Sequence, residues 1–256
     1  MCLVLIAYKH HPLYDLVLLA NRDEFYDRPT SPAEFWEDQP NVLAGRDLRA
    51  GGTWMGITRQ GRYAAVTNYR EAPREGSAAP SRGALVAGYL LGNASPEAYM
   101  ERLRSQGARY NGFNLLVGDR EHLYYYSNRE DIVRPLAPGL YGLSNHLLDT
   151  PWFKVEQGKA ELEAALYGGG PLSPDDLFPI LANEAPAPDE MLPETGVGLE
   201  WERVLSARFI ASPSYGTRSS TVLLIERSGH VRFVEQTRLP GAPASEVRSF
   251  SFDIEP

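Results

Sequence analysis

Residues 1–24, MCLVLIAYKHHPLYDLVLLANRDE, decide the fold of this chain. Residues 1–8 and 14–20 are two apolar runs of strand length, rich in leucine, valine and isoleucine. The segment 9–13 between them holds two histidines and a proline, which is typical of a short loop. Two such runs joined by a short polar loop predict an antiparallel β-hairpin at the start of the fold.

The register of this hairpin decides which residues meet at its open end. Pairing Tyr8 with Tyr14 would place Cys2 opposite Ala20, and a slip of one or two residues is open because loop geometry sets the register. In each of these registers the polar residues 21–24 (Asn-Arg-Asp-Glu) lie beside the amino end of the chain. The hairpin therefore gathers one thiol, one cation and two carboxylates in one place.

Cys2 is the only cysteine in the chain, and it follows the initiator methionine directly. Cysteine is small enough for Met1 to be removed before it, which would leave a thiol and a free α-amine on one residue. The α-amine has a pKa of ~7.7–8.0, close to ~8.5 for the thiol, so it can act as the base for its own side chain. A nearby Arg22 would favour the thiolate and lower the thiol pKa, while Asp23 would orient the ammonium group. The alternative, a small inert core cysteine in an apolar strand, stays open.

Composition limits the classes of function. The chain has 256 residues, a net charge of −8 and a sequence pI of about 5.2, which argue against nucleic acid or an anionic membrane surface as a partner. A hydrophobic fraction of 43% supports a large core. One cysteine excludes an intramolecular disulfide framework, and no apolar run approaches the ~18 residues of a transmembrane helix. With no basic segment before the apolar start, we expect a soluble cytoplasmic protein.

The remaining chain alternates between groups of strands and pairs of helices. Strands are predicted at 43–46, 51–58, 63–68, 113–117, 122–127, 132–136, 140–143, 204–211, 219–226, 231–236 and 247–253. Helices are predicted at 81–91, 95–106, 152–167 and 173–183, with loops at 26–41 and 184–200, the second being either a lid or a plain connector. Because tight turns join successive strands, the sheets should be antiparallel. We therefore predict an α+β fold, a four-layer αββα sandwich of two antiparallel sheets in a single domain over residues 1–256.

A second predicted hairpin brings another polar side chain to the end of a sheet. It places Asn68 roughly opposite Thr53. The first strand of this hairpin opens with Gly51 and Gly52, which permit either a close approach of backbone or a simple bend. Both alternatives stay open from the sequence.

Several short motifs in a fixed order carry a resemblance to a known family. They are Met1-Cys2, Asn21-Arg22-Asp23-Glu24, Gly51-Gly52-Thr53-Trp54-Met55-Gly56, Thr67-Asn68-Tyr69-Arg70, Gly142-Leu143-Ser144-Asn145-His146 and Gly216-Thr217-Arg218-Ser219-Ser220-Thr221. Each is weak alone, but together they cover nearly the whole chain and resemble the NRDE family, also called the transport and Golgi organisation protein 2 family. That family resembles the N-terminal nucleophile hydrolases, in particular the cysteine amidases that cleave bile-salt conjugates and penicillin V. Those enzymes share the four-layer sandwich predicted above.

The resemblance implies a set of catalytic residues headed by a processed Cys2 as the nucleophile. The others are Arg22, Asp23, Asn68 in the oxyanion hole, Asn145 as a second asparagine, and Arg218 with Arg208 as its rival. One departure is plain, because the arginine and aspartate of the amidases lie three residues apart and here they are adjacent. Adjacent strand residues point to opposite faces, so both can reach the thiol only where a bulge or the strand end intervenes. Glu24 shares the face of Arg22 and is the alternative carboxylate.

Five further residues are expected to bind substrate: Asn21, Glu24, Trp54, Tyr69 and His146. The alternative for the two aromatic side chains is core packing, and for His146 it is a position on the surface. The five histidines of the chain lack the spacing of metal ligands, so we expect no metal and no cofactor.

Two functions from different classes follow. The first is an N-terminal-cysteine amidohydrolase acting on a small non-peptide amide, with a small molecule as its partner. The alternative, also implied by the resemblance, is a non-catalytic binding or transfer protein for a hydrophobic ligand such as haem or lipid. A scaffold whose site has decayed is a third possibility.

Overall fold

The computed structural model describes residues 2–71, 79–238 and 246–255, and across these residues it has thirteen strands and five α-helices. The strands are β1 (Cys2–Tyr8), β2 (Tyr14–Phe25), β3 (Thr30–Trp36), β4 (Gln39–Asp47), β5 (Met55–Thr58), β6 (Tyr63–Asn68), β7 (Phe113–Gly118), β8 (Leu123–Ser127), β9 (Ile132–Pro135), β10 (Gly139–Leu143), β11 (Tyr215–Glu226), β12 (His230–Thr237) and β13 (Glu246–Asp253). The helices are α1 (Gly83–Leu90), α2 (Pro96–Arg104), α3 (Phe153–Leu166), α4 (Pro174–Leu181) and α5 (Leu199–Ser206), with short 3-10 turns at Gly107–Arg109 and Asp189–Met191. Within this described part of the chain, no helix is long and apolar enough to cross a bilayer.

The strands form two antiparallel sheets, as the tight connections in the sequence predict. In the described residues the first sheet has six strands in the order β10-β1-β2-β11-β12-β13, and the second has seven in the order β3-β4-β5-β6-β7-β8-β9. Helices α3 and α4 pack on the outer face of the first sheet, and α1 and α2 pack on the outer face of the second. The predicted α+β fold with αββα layers is confirmed.

Alternation along β1 and β2 assigns each side chain to one of two apolar layers. Val4 and Ile6 of β1 and Leu18 of β2 pack between the two sheets. Leu3 and Leu5 point the other way and pack against α3 and α4. The same alternation continues to the end of the hairpin, where the side chains become polar and still divide between two faces.

The β1–β2 pairing differs by two residues from the predicted register. Cys2 pairs with Arg22 rather than with Ala20. The reason lies in the turn, because Lys9 adopts a left-handed φ of 47° and its N–H donates to the Asp15 carbonyl at 2.8 Å. The turn therefore extends to Asp15, and the whole of β2 shifts against β1. This shift puts the arginine directly opposite the cysteine.

Two stretches fold differently from the prediction. Residues 26–41, expected to be a loop, contain β3 and the start of β4. β3 is an edge strand, where proline and charged side chains are tolerated, so its sequence carries little strand signal. Residues 204–211, expected to be a strand, begin inside α5, whose Leu205 packs with Ile210 and Tyr215. A short apolar run does not by itself distinguish a helix from a strand.

The sequence left a bend and a close approach of backbone as alternatives for Gly51 and Gly52, and the structure shows both. Gly51 has a φ of +74°, so the chain bends there, and β5 begins at Met55 instead of residue 51. A Cβ atom on Gly52 would lie 2.6 Å from the carbonyl carbon of Gly83, the first residue of α1. Only glycine allows this approach, which holds α1 close to the end of the second sheet.

We predict that Gly52→Ala lowers the free energy of unfolding by about 1–3 kcal/mol, because the added methyl group overlaps backbone atoms that cannot rotate away. Urea denaturation followed by circular dichroism measures the change. Gly170→Ala is the matched control, since a Cβ atom there meets nothing within 4 Å. Equal stability of the two variants would contradict the close approach.

Candidate active site

A cavity of about 330 Å³ opens where the apolar layer between the two sheets ends. Its wall combines the ends of β1, β2 and β11 with the end of β6 and the start of α1. The lining includes seven of the residues expected from the sequence: Cys2, Arg22, Asp23, Glu24, Trp54, Asn68 and Arg218. The fold therefore brings residues from both ends of the chain to one cavity.

Cys2 is the first described residue of β1, and it is buried in the cavity wall. Arg22 is its direct partner on β2, so the guanidinium and the thiol lie on one face of the sheet. The Ser144 hydroxyl donates to the Cys2 carbonyl at 3.0 Å and fixes the backbone beside the thiol. Met1, whose removal the sequence predicts, lies outside the described residues.

The pKa of the Cys2 thiol is raised in the chain that still begins with Met1, whereas the sequence predicts a lowered thiol pKa once Met1 is removed. Burial raises the pKa of this thiol above its ordinary value, and the nearby Asp23 carboxylate adds to the rise. The positive amino terminus, Arg22 and a hydrogen bond from the Asp23 backbone lower the thiol pKa, but they do not outweigh burial. The sequence prediction considered the charges and omitted the desolvation. A thiol in this setting needs a base beside it to react at neutral pH.

Asp23 lies on the opposite face of β2 from the arginine, as strand alternation requires. Its carboxylate accepts a hydrogen bond from the Thr217 hydroxyl at 2.7 Å, and its backbone carbonyl accepts one from the Tyr215 hydroxyl at 3.1 Å. Burial raises the pKa of the Asp23 carboxyl, while the amino terminus and then Lys154 pull this pKa down. The carboxylate is therefore held by charge as well as by hydrogen bonds, close to the amino end of the chain.

Four ionisable side chains form a buried charge layer behind the thiol: Asp23, Arg70, Lys154 and Glu202. Arg70 pairs with Glu202 at 2.5 Å, and Lys154 donates to the Leu205 carbonyl at 2.9 Å. Burial, aided by the Arg70 charge, lowers the pKa of Lys154 to about 8, although the Asp23 carboxylate opposes this change. The layer joins β2 to α3 and α5, and it sets the electrostatic environment of the thiol from the side away from the cavity.

Glu24 is the second carboxylate beside the amino end of the chain, and it lines the cavity. One of its oxygens accepts from the Phe25 backbone N–H at 2.9 Å, and the other lies 3.8 Å from the Arg28 guanidinium. Its side chain is 25% exposed, whereas Asp23 is buried. The two carboxylates that the sequence left as alternatives therefore lie on opposite faces of β2 and in different solvent environments.

Asn68 and Asn145 connect the two sheets. Asn68 is the last residue of β6 and lines the cavity, and its backbone carbonyl accepts from the Asn145 side-chain amide at 3.0 Å. The Asn145 carbonyl in turn accepts from the Arg70 N–H at 2.6 Å. Asn145 is fully buried and is not among the residues of the cavity wall. Its side chain therefore holds the segment that carries Asn68.

Three of the expected substrate-binding residues lie outside the cavity wall. The Tyr69 hydroxyl contacts His146 Nε2 at 2.7 Å, and His146 Nδ1 contacts the Thr150 hydroxyl at 2.9 Å. Asn21 is buried under the helices, where its side-chain amide donates to the Leu181 and Arg208 carbonyls. These contacts bind neighbouring segments together and leave the cavity to other groups.

Arg218 is the extra residue of a bulge in β11, between the two residues that pair with Arg22 and Asp23. One of its guanidinium nitrogens donates to three backbone carbonyls in the turn after β2, at distances from 2.9 to 3.3 Å. The rival Arg208 instead pairs with Glu161 through two hydrogen bonds of 2.6 and 2.8 Å and does not line the cavity. The bulge therefore places Arg218 in the cavity wall, whereas Arg208 lies outside it.

Among the charged residues of the site that the sequence analysis did not assign to it are Lys154, Glu235 and Arg82. Lys154 belongs to the buried charge layer, and Glu235 and Arg82 line the cavity. The sequence held a signal for two of them. Glu235 continues the inward-facing series of Val231 and Phe233 on β12, and Lys154 falls on the buried face of α3. A charged residue at a core position marks a site more often than a surface charge does.

The described residues of the cavity wall include no set of side chains that suits a metal ion. In the described ranges, no group of three or more histidine, cysteine, aspartate or glutamate side chains is placed to hold one. The polar groups of the wall are guanidinium, amide, carboxylate and hydroxyl groups. Such groups suit an organic ligand that carries oxygen and nitrogen atoms.

The pattern over the whole chain identifies the family. A profile of the family described as Transport and Golgi organisation 2 matches residues 1–240. The chain belongs to this family. The Transport and Golgi organization protein 2 homologs of Bos taurus and Homo sapiens are 40% and 34% identical to it, with 100% of both chains covered in each case. The family protein of Drosophila melanogaster is 30% identical over 93% of this chain and 92% of its own length. The resemblance carried by the motifs is confirmed.

Two solved structures of a conjugated bile acid hydrolase share the fold of this chain. A mutant conjugated bile acid hydrolase from Clostridium perfringens superposes with a TM-score of 0.53, covering 99% of this chain and 92% of that chain at 10% identity. A second variant of that hydrolase gives a TM-score of 0.50 at 11% identity, with 99% and 98% covered. At this identity the likeness shows a shared fold alone. This chain thus shares the sandwich fold of that hydrolase.

We predict that the stability of the protein relative to Lys154→Met rises by about 3 kcal/mol between pH 8 and pH 10.5. The pKa of Lys154 is about 8 in the folded chain and 10.5 as its ordinary value, so in this window the unfolded chain binds more protons and stability rises with pH. Below pH 8 the lysine is charged in both states and contributes no slope. Urea denaturation at several pH values measures the difference.

Lys159→Met is the control for this prediction, because Lys159 lies on the same helix as Lys154 but is partly exposed. Its ammonium group pairs with the Asp149 carboxylate at 2.8 Å. The tyrosines that titrate at high pH are present in all of these proteins, so their contribution to the free energy of unfolding cancels in the comparison. If the difference in the free energy of unfolding between the protein and Lys154→Met stays constant from pH 8 to pH 10.5, burial does not lower the pKa of Lys154.

Proposed function

We propose that this family member is an N-terminal-cysteine amidohydrolase that cleaves a small non-peptide amide. The observation that supports this best is the pairing of Cys2 with Arg22 at the cavity, with the Asp23 carboxylate close enough to raise the pKa of the Cys2 thiol. A thiol, an amine and an orienting carboxylate at one cavity are the parts that a self-activated nucleophile needs. Because the cavity uses residues from both sheets, we propose that the chain works as one domain.

In the proposed reaction, removal of Met1 leaves the α-amine on Cys2. The neutral amine takes the proton of the thiol, and the thiolate sulfur attacks the carbonyl carbon of the amide. The carbonyl oxygen becomes an oxyanion, to which the Asn68 side chain donates a hydrogen bond. The α-ammonium group then gives its proton to the amide nitrogen as the C–N bond breaks, and the amine leaves. Water hydrolyses the thioester and restores the thiol.

Asp23, rather than Glu24, is the carboxylate proposed to hold the α-ammonium group. The Asp23 carboxylate raises the pKa of the Cys2 thiol, which supports a position close to Cys2. Glu24 already accepts from a backbone N–H and faces Arg28, so its charge is engaged elsewhere. In the same scheme Asn145 is a positioning residue, since its amide holds the Asn68 backbone.

We predict that protein with Cys2 at its amino end reacts with iodoacetamide at pH 7.5 about tenfold faster than protein that keeps Met1 behind a short extension. The free α-amine supplies the base that the buried thiol lacks in the extended chain. Intact mass gives both the processing state and the labelled fraction. Cys2→Ala is the control, because it removes the only thiol in the chain. Native protein that retains Met1 would rule out the α-amine mechanism.

We predict that Asn68→Ala lowers kcat for the amide substrate by about 10²–10³-fold with a small change in KM, because its hydrogen bond forms only as the oxyanion develops. A panel of acyl amides assayed with the purified protein identifies the substrate on which to measure this. Asp23→Asn should lose most of the activity, and Glu24→Gln should retain most of it. Activity that persists in Cys2→Ala would contradict the proposed mechanism, because no nucleophilic thiol would remain.

One observation favours the second candidate function, a carrier that binds a hydrophobic ligand such as haem or lipid without chemistry. Burial raises the pKa of the Cys2 thiol, which opposes the formation of the thiolate that catalysis needs. Titration with haem separates the two functions. A saturable absorbance change that Cys2→Ala weakens, together with no turnover of any amide, would favour the carrier over the enzyme.

A further inference from the structure

Five arginines line the cavity: Arg22, Arg28, Arg46, Arg82 and Arg218. Two of them are neutralised by carboxylates. Arg28 lies 2.6 Å from Asp47, and Arg46 lies 2.7 Å from Asp38. In these two pairs a carboxylate of the protein balances the charge of the arginine, so neither arginine requires an anionic ligand.

The other three arginines, Arg22, Arg82 and Arg218, have no carboxylate within 4.0 Å among the described residues. Arg82 donates to the Gly112 carbonyl at 2.9 Å, and Arg218 donates to the carbonyls of the turn after β2. Carbonyls satisfy hydrogen bonds but do not cancel a positive charge. We call these three residues the unmatched arginines.

The unmatched arginines are held in a setting that disfavours their charge. Arg218 is 7% exposed, and burial together with the Arg22 charge lowers the pKa of its guanidinium. Burial also lowers the pKa of the Arg82 guanidinium. A cation taken out of water is costly without an anion beside it, and guanidinium groups bind carboxylates through two parallel hydrogen bonds.

The carboxylates near the cavity compensate the unmatched arginines only in part, because Glu24 raises the pKa of the Arg82 and Arg218 guanidinium groups without outweighing burial. Glu24 is shared with Arg28, and Asp47 is bound to Arg28. Glu235 is buried, accepts from the Ala33 N–H at 2.7 Å, and has its pKa raised by burial, which favours its neutral form. Among the described residues, the cavity wall carries five arginines against four carboxylates (Asp23, Glu24, Asp47 and Glu235), although the chain as a whole carries a net charge of −8.

We propose that the cavity binds a small anionic amide whose carboxylate is held by Arg22, Arg82 and Arg218 while its amide group lies at Cys2. The amide part of this inference rests on the proposed function, and the anion part does not. A cavity of about 330 Å³ is at the small end of ligand sites, so the acid has a short acyl chain. The arginines select the acid over a neutral amide of the same shape, because only the acid matches their charge.

Calorimetric titration of the Cys2→Ala variant tests this without any turnover. The probes are N-hexanoylglycine, which carries a carboxylate, and N-hexanoylglycinamide, which has the same shape without the charge. We expect the acid to bind at least about tenfold more tightly in 20 mM salt, with the preference falling in 500 mM salt. Arg82→Gln and Arg218→Gln should each remove most of the preference, and Arg82→Lys should retain part of it.

Arg203→Gln is the matched control, because it removes a surface arginine paired with Asp189 and Glu200 far from the cavity wall. It should leave the preference unchanged. Equal affinity for the two probes, failure of both to bind at millimolar concentration, or a preference that survives in both glutamine variants would each overturn the proposal. If a glutamine variant does not fold, the acid-to-amide ratio and its salt dependence in Cys2→Ala decide alone. Absence of amide turnover in the unmodified protein would overturn the proposed function and leave the anion preference standing.

Discussion

The pairing of β1 with β2 is the constraint on which the rest of the site depends. Cys2 lies opposite Arg22, so one ladder of backbone hydrogen bonds decides what stands beside the thiol. β2 also pairs with β11 on its other side, and the bulge there brings Arg218 to the same cavity. Because β2 lies between both neighbours in the sheet, its alternation sets the chemistry of two layers at once.

Desolvation competes with charge throughout this region. Burial raises the pKa of the thiol and of the Asp23 carboxyl, and it lowers the pKa of Lys154. Buried ion pairs rarely stabilise a fold relative to apolar packing, so four ionisable groups behind one strand are not explained by stability. They are explained if the strand end must present a charged amino group and a sulfur atom in a fixed arrangement. The end of β2 therefore carries polar side chains on both faces of the sheet.

Much of the architecture could be predicted from the sequence, because tight turns between successive strands leave few options other than antiparallel sheets. The order of strands and helical pairs then gives the layers. The register of the first hairpin could not be predicted, since it depends on the left-handed backbone of Lys9. The edge strand β3 was missed for a different reason, because its proline and charges are those of a loop. Local sequence patterns predict the order of strands and helices, whereas the register of a hairpin and the presence of an edge strand depend on single residues.

For the site, the motifs predict the cavity wall better than they predict individual roles. Cys2 and Asn68 come from motifs and line the cavity, but Asn145 comes from an equally clear motif and binds backbone instead. Its partner lies 77 residues away in the chain, and no local pattern records such a contact. Lys154 reaches Leu205 on another helix in the same way. Roles that arise from long-range contacts require the folded chain.

Strand alternation on β2 also constrains how the chain can change in length. The turn after β1 sets which side of the sheet each residue of the Asn-Arg-Asp-Glu stretch faces. An insertion of one residue in that turn, if it slid the strand, would exchange the faces of Arg22 and Asp23, so that each face of the sheet would carry the opposite charge. An insertion of two residues would restore the sides while moving every group by one pair along the ladder. The hairpin turn is thus expected to vary in sequence far more readily than in length, even though it lies far from the cavity.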